Sequence, residues 1–189
     1  MKKNLLAAAL ALSTATLSTA NGNPTYDVDN FDISGMKLGM DEAAIKAALN
    51  TALEIGDSDI SGGYDDDIEW QKGNHKVKVH FIADAWHDKA DNWVADEIQY
   101  SLPYTDENRQ MLAEAAVQKY GKPTQTSGLG SYWCTAGGLE NGLCVNKAAE
   151  LTLRDSRTVG AVYLTLTDTR YKKAVQAAQN QNKTEKPKI

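Results

Sequence analysis

The sequence lacks several patterns that would point to a known chemistry. It has only three histidines, at positions 75, 80 and 87, and their spacing matches no zinc site. There is no C-x-x-C pair typical of a redox site and no G-x-S-x-G setting for a nucleophilic serine. After the first 20 residues, charged residues interrupt every apolar run, so no later segment is long enough to cross a bilayer. These absences favour no enzyme class and no zinc centre, and we expect no membrane anchor.

The sequence also lacks an excess of basic residues. The net charge is −5 over 189 residues. Nucleic acids and anionic lipid surfaces reward basic patches, so this balance opposes both as partners.

The first 20 residues have the features of a secretory signal. A basic start at Lys2 and Lys3 is followed by an apolar run over 5–12 and a small polar stretch over 13–20. We predict a signal peptide over 1–20, with cleavage before Asn21. Asn21 offers no thiol for a lipid, so we expect a soluble chain, periplasmic or secreted, whose net charge falls to −7 with the loss of both lysines.

Cys134 and Cys144 are the only cysteines. Two cysteines a short loop apart in an exported chain are typically paired, so we predict a disulfide between them. Closing a loop of this size stabilises the fold by roughly 2.5 to 3 kcal/mol in the chain-entropy model.

The hydrophobic periodicity alternates between helical and strand patterns. A helix is predicted from Asp41 to Leu53, ending near Gly56, and strands follow over 64–102. A second helix, capped by Thr105, ends near Tyr120, and strands follow again over 151–167. A third helix is predicted from Asp168.

This order predicts an α+β fold in which antiparallel meander strands carry helices on one face. Within one domain over 21–178, the repeated order suggests two related lobes, one about 31–103 and the other about 104–178. A single irregular domain without duplication is the alternative. The polar end, 179–189, is predicted to be a disordered tail.

The stretch from Phe31 to Ile45 contains Gly39-Met40 directly before the polar residues that begin the first helix. It resembles the opening of small bacterial envelope proteins of the SmpA/OmlA-like kind and of the tandem β-lactamase-inhibitor-like fold. The resemblance implies a protein-binding scaffold with no catalytic residues to carry over. Two features depart from it: Asn21 stands where lipid-anchored members have cysteine, and only the second lobe has a cysteine pair.

An acidic stretch follows the first helix. Asp57 and Asp59 begin a D-x-D-x-S-G pattern typical of a calcium loop, and Asp65 follows. The twelfth position, where a bidentate glutamate belongs, is Ile68. A calcium site at Asp57, Asp59 and Asp65 therefore competes with a solvated loop made of ordinary turn formers.

Four aromatic residues suggest a recognition surface. Trp86 and Trp93 bracket a polar hairpin-like stretch, and Tyr132 and Trp133 adjoin the cysteine loop. Aromatic residues on loops supply contact area at low entropic cost, so these four are candidate partner-binding residues. The alternative is that the tryptophans fill the core.

Together these observations predict a non-enzymatic exported protein that binds another envelope protein and uses no cofactor. Two alternatives remain open. One is a small hydrolase that uses acidic residues in a cleft between the lobes. The other is a binding module stabilised by calcium.

Overall fold

A computed structural model of the chain describes residues 24–64, 66–141, 143–145 and 148–184. The signal peptide predicted over 1–20 lies outside these residues.

The helices and strands follow the predicted order. The helices are α1 Glu42–Leu53, α2 Asp106–Tyr120 and α3 Thr169–Thr184. The strands are β1 Ile60–Tyr64, β2 Asp67–Lys72, β3 His75–Asp84, β4 Lys89–Pro103, β5 Gln125–Ser127, β6 Gly130–Cys134, β7 Leu139–Glu140, β8 Leu143–Cys144, β9 Ala149–Ser156 and β10 Ala161–Asp168.

Eight strands form one open antiparallel sheet in the order β1-β2-β3-β4-β10-β9-β6-β5, and β7 and β8 form a separate small hairpin. The predicted α+β class is confirmed. Strands β1 to β4 follow α1 and fill one half of the sheet, whereas the other half is filled by strands that follow α2. The halves join along the β4–β10 ladder, from Ala161 opposite Pro103 to Thr167 opposite Glu97. This ladder is called the seam below. A duplication of the two halves stays a prediction.

Side-chain caps begin both α1 and α2. The Asp41 carboxylate accepts a hydrogen bond from the Ala44 N–H at 2.8 Å, and the Thr105 hydroxyl accepts one from the Asn108 N–H at 3.0 Å. Such caps satisfy N–H groups that have no partner within the helix. The helix α1 ends at Leu53 as predicted, but the left-handed residue that follows it is Glu54, with φ of 54°, and not Gly56.

The hydrophobic core lies on one face of the sheet. Both α1 and α2 bury their apolar side chains there, and so does the N-terminal segment, residues 24–41. The core includes Val28, Met36, Ile45, Leu49, Val77, Val79, Ile98, Leu112, Ala116, Leu151, Val162 and Leu166. Strand residues facing it alternate with half-buried ones, as in the alternating burial of β10.

The N-terminal segment contacts both halves. The Tyr26 N–H donates to the carbonyl of Cys134 in the second half at 3.1 Å. In the first half, Gly39 and Met40 exchange backbone hydrogen bonds with Ala95 at 2.9 and 2.8 Å. These bonds occupy the edge of β4 beyond the end of the seam.

Two predicted irregular stretches are regular in the structure. Ile60–Tyr64 lies within the predicted acidic loop but forms the edge strand β1. The helix α3 continues to Thr184, so the predicted disorder is wrong for 179–184. Glutamine and lysine in this stretch favour helix, and the proline that would stop it comes only at 187. Residues 185–189 lie outside the described part.

The predicted cysteine pair is confirmed. Cys134 ends β6, Cys144 ends β8, and their Cα atoms are 6.0 Å apart with the sulfurs bonded. The disulfide therefore ties the small hairpin to the main sheet. Within the described ranges, no helix is both long and apolar enough to span a bilayer.

Candidate functional site

The end of the β3–β4 hairpin, Asp84–Trp93, carries two of the predicted aromatic residues and is called the tryptophan hairpin. Strand β3 ends at Asp84, a short 3-10 turn covers Ala85–His87, and β4 begins at Lys89. Every residue from Trp86 to Trp93 is exposed. The exposed fraction is 39% for Trp86 and 53% for Trp93, which is high for the residue type.

The backbone of the tryptophan hairpin is irregular. Ala83 pairs with Trp93 and Asp84 pairs with Lys89, so residues 90–92 between them have no cross-strand partner in this ladder. Asp88 adopts the left-handed conformation with φ of 57°, which is uncommon outside glycine. Bulges of this kind redirect side chains and occur often beside functional sites. The result is a bulged end of the hairpin, in which residues 90–92 have no partner on β3.

Trp86 is held in place although it is exposed. The Arg170 guanidinium lies over its ring at 4.1 Å from the centroid. The ring of Tyr171 meets it edge-on at 5.2 Å, and the His87 ring lies 4.7 Å away. Contacts from α3 thus fix the orientation of a side chain that still faces solvent.

Arg170 is itself fixed by carboxylates. Its Nε donates to both oxygens of Asp168 at 2.9 Å, and its Nη2 donates to Asp168 Oδ2 at 2.6 Å and to Asp29. Asp168 is only 2% exposed. The hydrogen bond that the guanidinium donates to Asp168 is the main cause that raises the pKa of Arg170 above its usual value. The guanidinium therefore stays charged and rigid beneath Trp86.

Beside Trp86, Tyr171 and Asp84 form a buried polar layer. Burial, together with Asp84 and Asp168 nearby, raises the pKa of Tyr171 to about 12, so its hydroxyl stays protonated at neutral pH. The Asp84 carboxylate bonds to Nδ1 of His87 at 2.7 Å. This pair fixes the turn that presents Trp86.

A second polar cluster lies further along the same strands. A register shift after His80 places Asp96 outside the regular alternation, fully buried, where it bonds to Nδ1 of His80. The Nε2 atom of His80 lies 3.4 Å from Asp66, and Lys172 Nζ lies 3.8 Å from the other Asp96 oxygen. His80 is half-buried, because the bulge turns a buried carboxylate toward it. Lys172 thereby adds an ionic contact between α3 and the sheet.

The structure separates the other two predicted aromatics from the tryptophan hairpin. Trp133 is fully buried, and its indole N–H donates to the Gly121 carbonyl at 2.9 Å. Its predicted role in partner binding is wrong, since it has no surface to offer. Tyr132 is half-buried on β6, with β9 and β10 between it and β4, and the Arg154 guanidinium lies 5.3 Å from its ring centroid.

The predicted calcium ligands are engaged elsewhere or lie outside the description. Asp57 forms an ion pair with Lys46 at 2.9 Å, and Asp59 accepts a hydrogen bond from the Gly56 N–H at 2.9 Å. Asp65 is not among the described residues. Over the parts of the chain that are described, no group of three histidine, cysteine or acidic side chains is placed to hold a metal ion. A calcium site stays a prediction.

A cavity of about 610 Å³ lies between α2 and the β5–β6 hairpin. Asp106, Arg109, Leu129 and Asp155 are among its lining residues, all of which belong to the second half. This cavity is therefore not the cleft between the two halves that the hydrolase alternative requires.

Comparisons of the chain with protein families, with curated proteins and with solved structures find no match. Arg170 and Tyr171 were not candidates from the sequence, because 84 positions separate Trp86 from Arg170 and no local pattern links them. The only available signal in the sequence was the third helix predicted from Asp168, which includes both residues.

Proposed function

We propose that this chain is an exported, non-enzymatic protein that binds another envelope protein through the tryptophan hairpin. The observation that carries the proposal is that Trp86 is exposed and yet held by Arg170, Tyr171 and His87. A side chain already in one orientation loses little conformational entropy when a partner covers it.

The composition of the tryptophan hairpin supports recognition of a protein surface. Tryptophan is enriched among the few residues that carry most of the binding energy at interfaces. Such residues typically cost about 2 kcal/mol or more when they are truncated to alanine. The bulge at 90–92, which has no partner on β3, lies between the two tryptophans along the chain.

Export is supported by the sequence of the first 20 residues and by the disulfide, which persists in oxidising compartments. Cell fractionation with intact-mass measurement tests this part. We expect envelope or medium material that lacks residues 1–20 and has no free thiol. Cytoplasmic protein that retains those residues, with both cysteines reduced, would contradict export.

Site-specific photo-cross-linking tests the binding surface. A photoreactive residue at position 91, inside the bulge, is expected to form a discrete adduct with an envelope protein in living cells. The same residue at position 159, which is 70% exposed in the turn between β9 and β10, serves as the matched control.

Truncation of the tryptophans then tests their role. Trp86→Ala and Trp93→Ala are expected to abolish the adduct from position 91, whereas Leu129→Ala, at a residue 76% exposed elsewhere, leaves it unchanged. The proposal would be contradicted if the adduct still forms in both tryptophan variants, or if positions 91 and 159 give equal amounts of adduct.

A further inference from the structure

We infer that the partner presents a cationic surface to the tryptophan hairpin, with a lysine or arginine side chain stacked on Trp93. The inference rests on the proposed function, because it names the chemistry of the protein that the same surface binds. Three features of the hairpin lead to it.

The first feature is an excess of negative charge. Asp88 and Asp91 are exposed and, among the residues that the structure describes, have no ion-pair partner. Lys89 is the only lysine or arginine between Asp84 and Trp93. The nearby Arg170 cannot compensate them, because its guanidinium already binds Asp29 and Asp168.

The second feature is an aromatic face without an occupant. Trp93 is 53% exposed, and in the described part of the chain no aromatic ring or cation stacks on it. Tryptophan is the most favourable aromatic face for a cation. Trp86 shows the geometry within the same molecule, since a guanidinium already occupies its ring at 4.1 Å.

The third feature disfavours a second copy of the chain as the occupant. A symmetric dimer through this surface would bring two hairpins together, each with Asp88 and Asp91 against the single lysine Lys89. Like charges placed together across an interface cost several kcal/mol. The net charge, which is −7 after loss of Lys2 and Lys3, extends the same repulsion to the whole molecule. A basic partner gains from each of these charges.

Fluorescence anisotropy with two labelled peptides tests the inference on the full mature protein. One peptide alternates lysine and leucine, and the other alternates glutamate and leucine. We expect the lysine peptide to bind, with affinity that falls as salt rises from 50 to 300 mM, and the glutamate peptide not to bind.

The variants locate the binding. Trp93→Ala and the double variant Asp88→Asn/Asp91→Asn are each expected to weaken the lysine peptide about threefold or more. The double variant Glu107→Gln/Glu114→Gln changes the net charge equally on exposed α2 positions, and it is expected to leave affinity unchanged. All these positions are exposed, so melting curves should match that of the wild-type protein, and they serve as the folding control.

Two failures can be told apart. Equal peptide affinity in all variants, or equal binding of both peptides, would overturn the cationic partner while the cross-link from position 91 still depends on Trp86 and Trp93. Loss of that dependence overturns the proposed function itself. A cross-linked partner whose contact surface is acidic also overturns the inference.

Discussion

Replacement of Arg170 by alanine tests whether α3 holds the tryptophan hairpin in place. The substitution removes the guanidinium from the Trp86 ring and from Asp168, which is 2% exposed. Asp168 would then keep a buried charge without its cation. Asp29, with a side chain 48% exposed, would instead be hydrated.

The magnitude follows from the burial of each partner. Breaking a buried ion pair by removing one member costs about 3–5 kcal/mol. Since the Arg170 side chain is 26% exposed, we expect the lower end, about 3 kcal/mol. The lost stacking on Trp86 adds about 0.5–1 kcal/mol. For a chain of this size, the total loss of about 3.5–4 kcal/mol corresponds to a fall in Tm of roughly 7–16 °C.

Urea denaturation followed by circular dichroism measures the free energy of unfolding. Arg109→Ala is the matched control, because that guanidinium lies 3.8 Å from Asp155 with both side chains exposed and should cost less than about 1 kcal/mol. Arg170→Lys should recover only part of the loss, since lysine cannot form the planar fork. If Arg170→Ala lowers the free energy of unfolding no more than Arg109→Ala does, the role assigned to Arg170 is refuted.

Three further outcomes are expected. Burial raises the pKa of Glu150, so the folded state resists ionisation of this carboxyl and stability falls as pH rises through that pKa. In scanning calorimetry, Glu150→Gln should therefore raise Tm at pH 7 and leave it unchanged near pH 4. An equal effect at both pH values would contradict this. Gly130→Ala should cost about 1–3 kcal/mol in urea denaturation, because φ is 143° and a Cβ would meet a β9 carbonyl at 2.4 Å, whereas Gly128→Ala meets nothing within 4 Å and should be neutral. Replacing Cys134 and Cys144 by serine should lower the free energy of unfolding by roughly 2.5–3 kcal/mol, and no change would show that the loop is already closed in the unfolded chain.

The helices and central strands could be predicted because their signals are local. Asp41 and Thr105 cap the helices where expected, and the alternation around Val77 and Val79 gives a strand with one buried face. The exposed tryptophans of the β3–β4 hairpin also followed from a local pattern, an aromatic residue on each side of a polar stretch.

The rest depends on contacts between residues distant in sequence. Trp133 and Trp93 are the same residue type near loops, but only the three-dimensional position of β6 buries Trp133. The Arg170–Trp86 stack needs α3 to fold back on the first half. The Asp96–His80 pair depends on the bulge in β4, and no residue pattern in that strand predicts a bulge.

Two segments, the N-terminal segment and α3, connect the two halves of the molecule in addition to the seam. The N-terminal segment, which precedes the first half, bonds to Cys134 in the second, while α3, which follows the second half, contacts β3, β4 and the turn before Asp88 in the first. Opening the seam as a hinge would require both the N-terminal segment and α3 to detach at once. We therefore expect the protein to dock as a rigid body with the same shape before and after binding, and backbone amides of β10 to exchange their hydrogens only when the whole molecule unfolds.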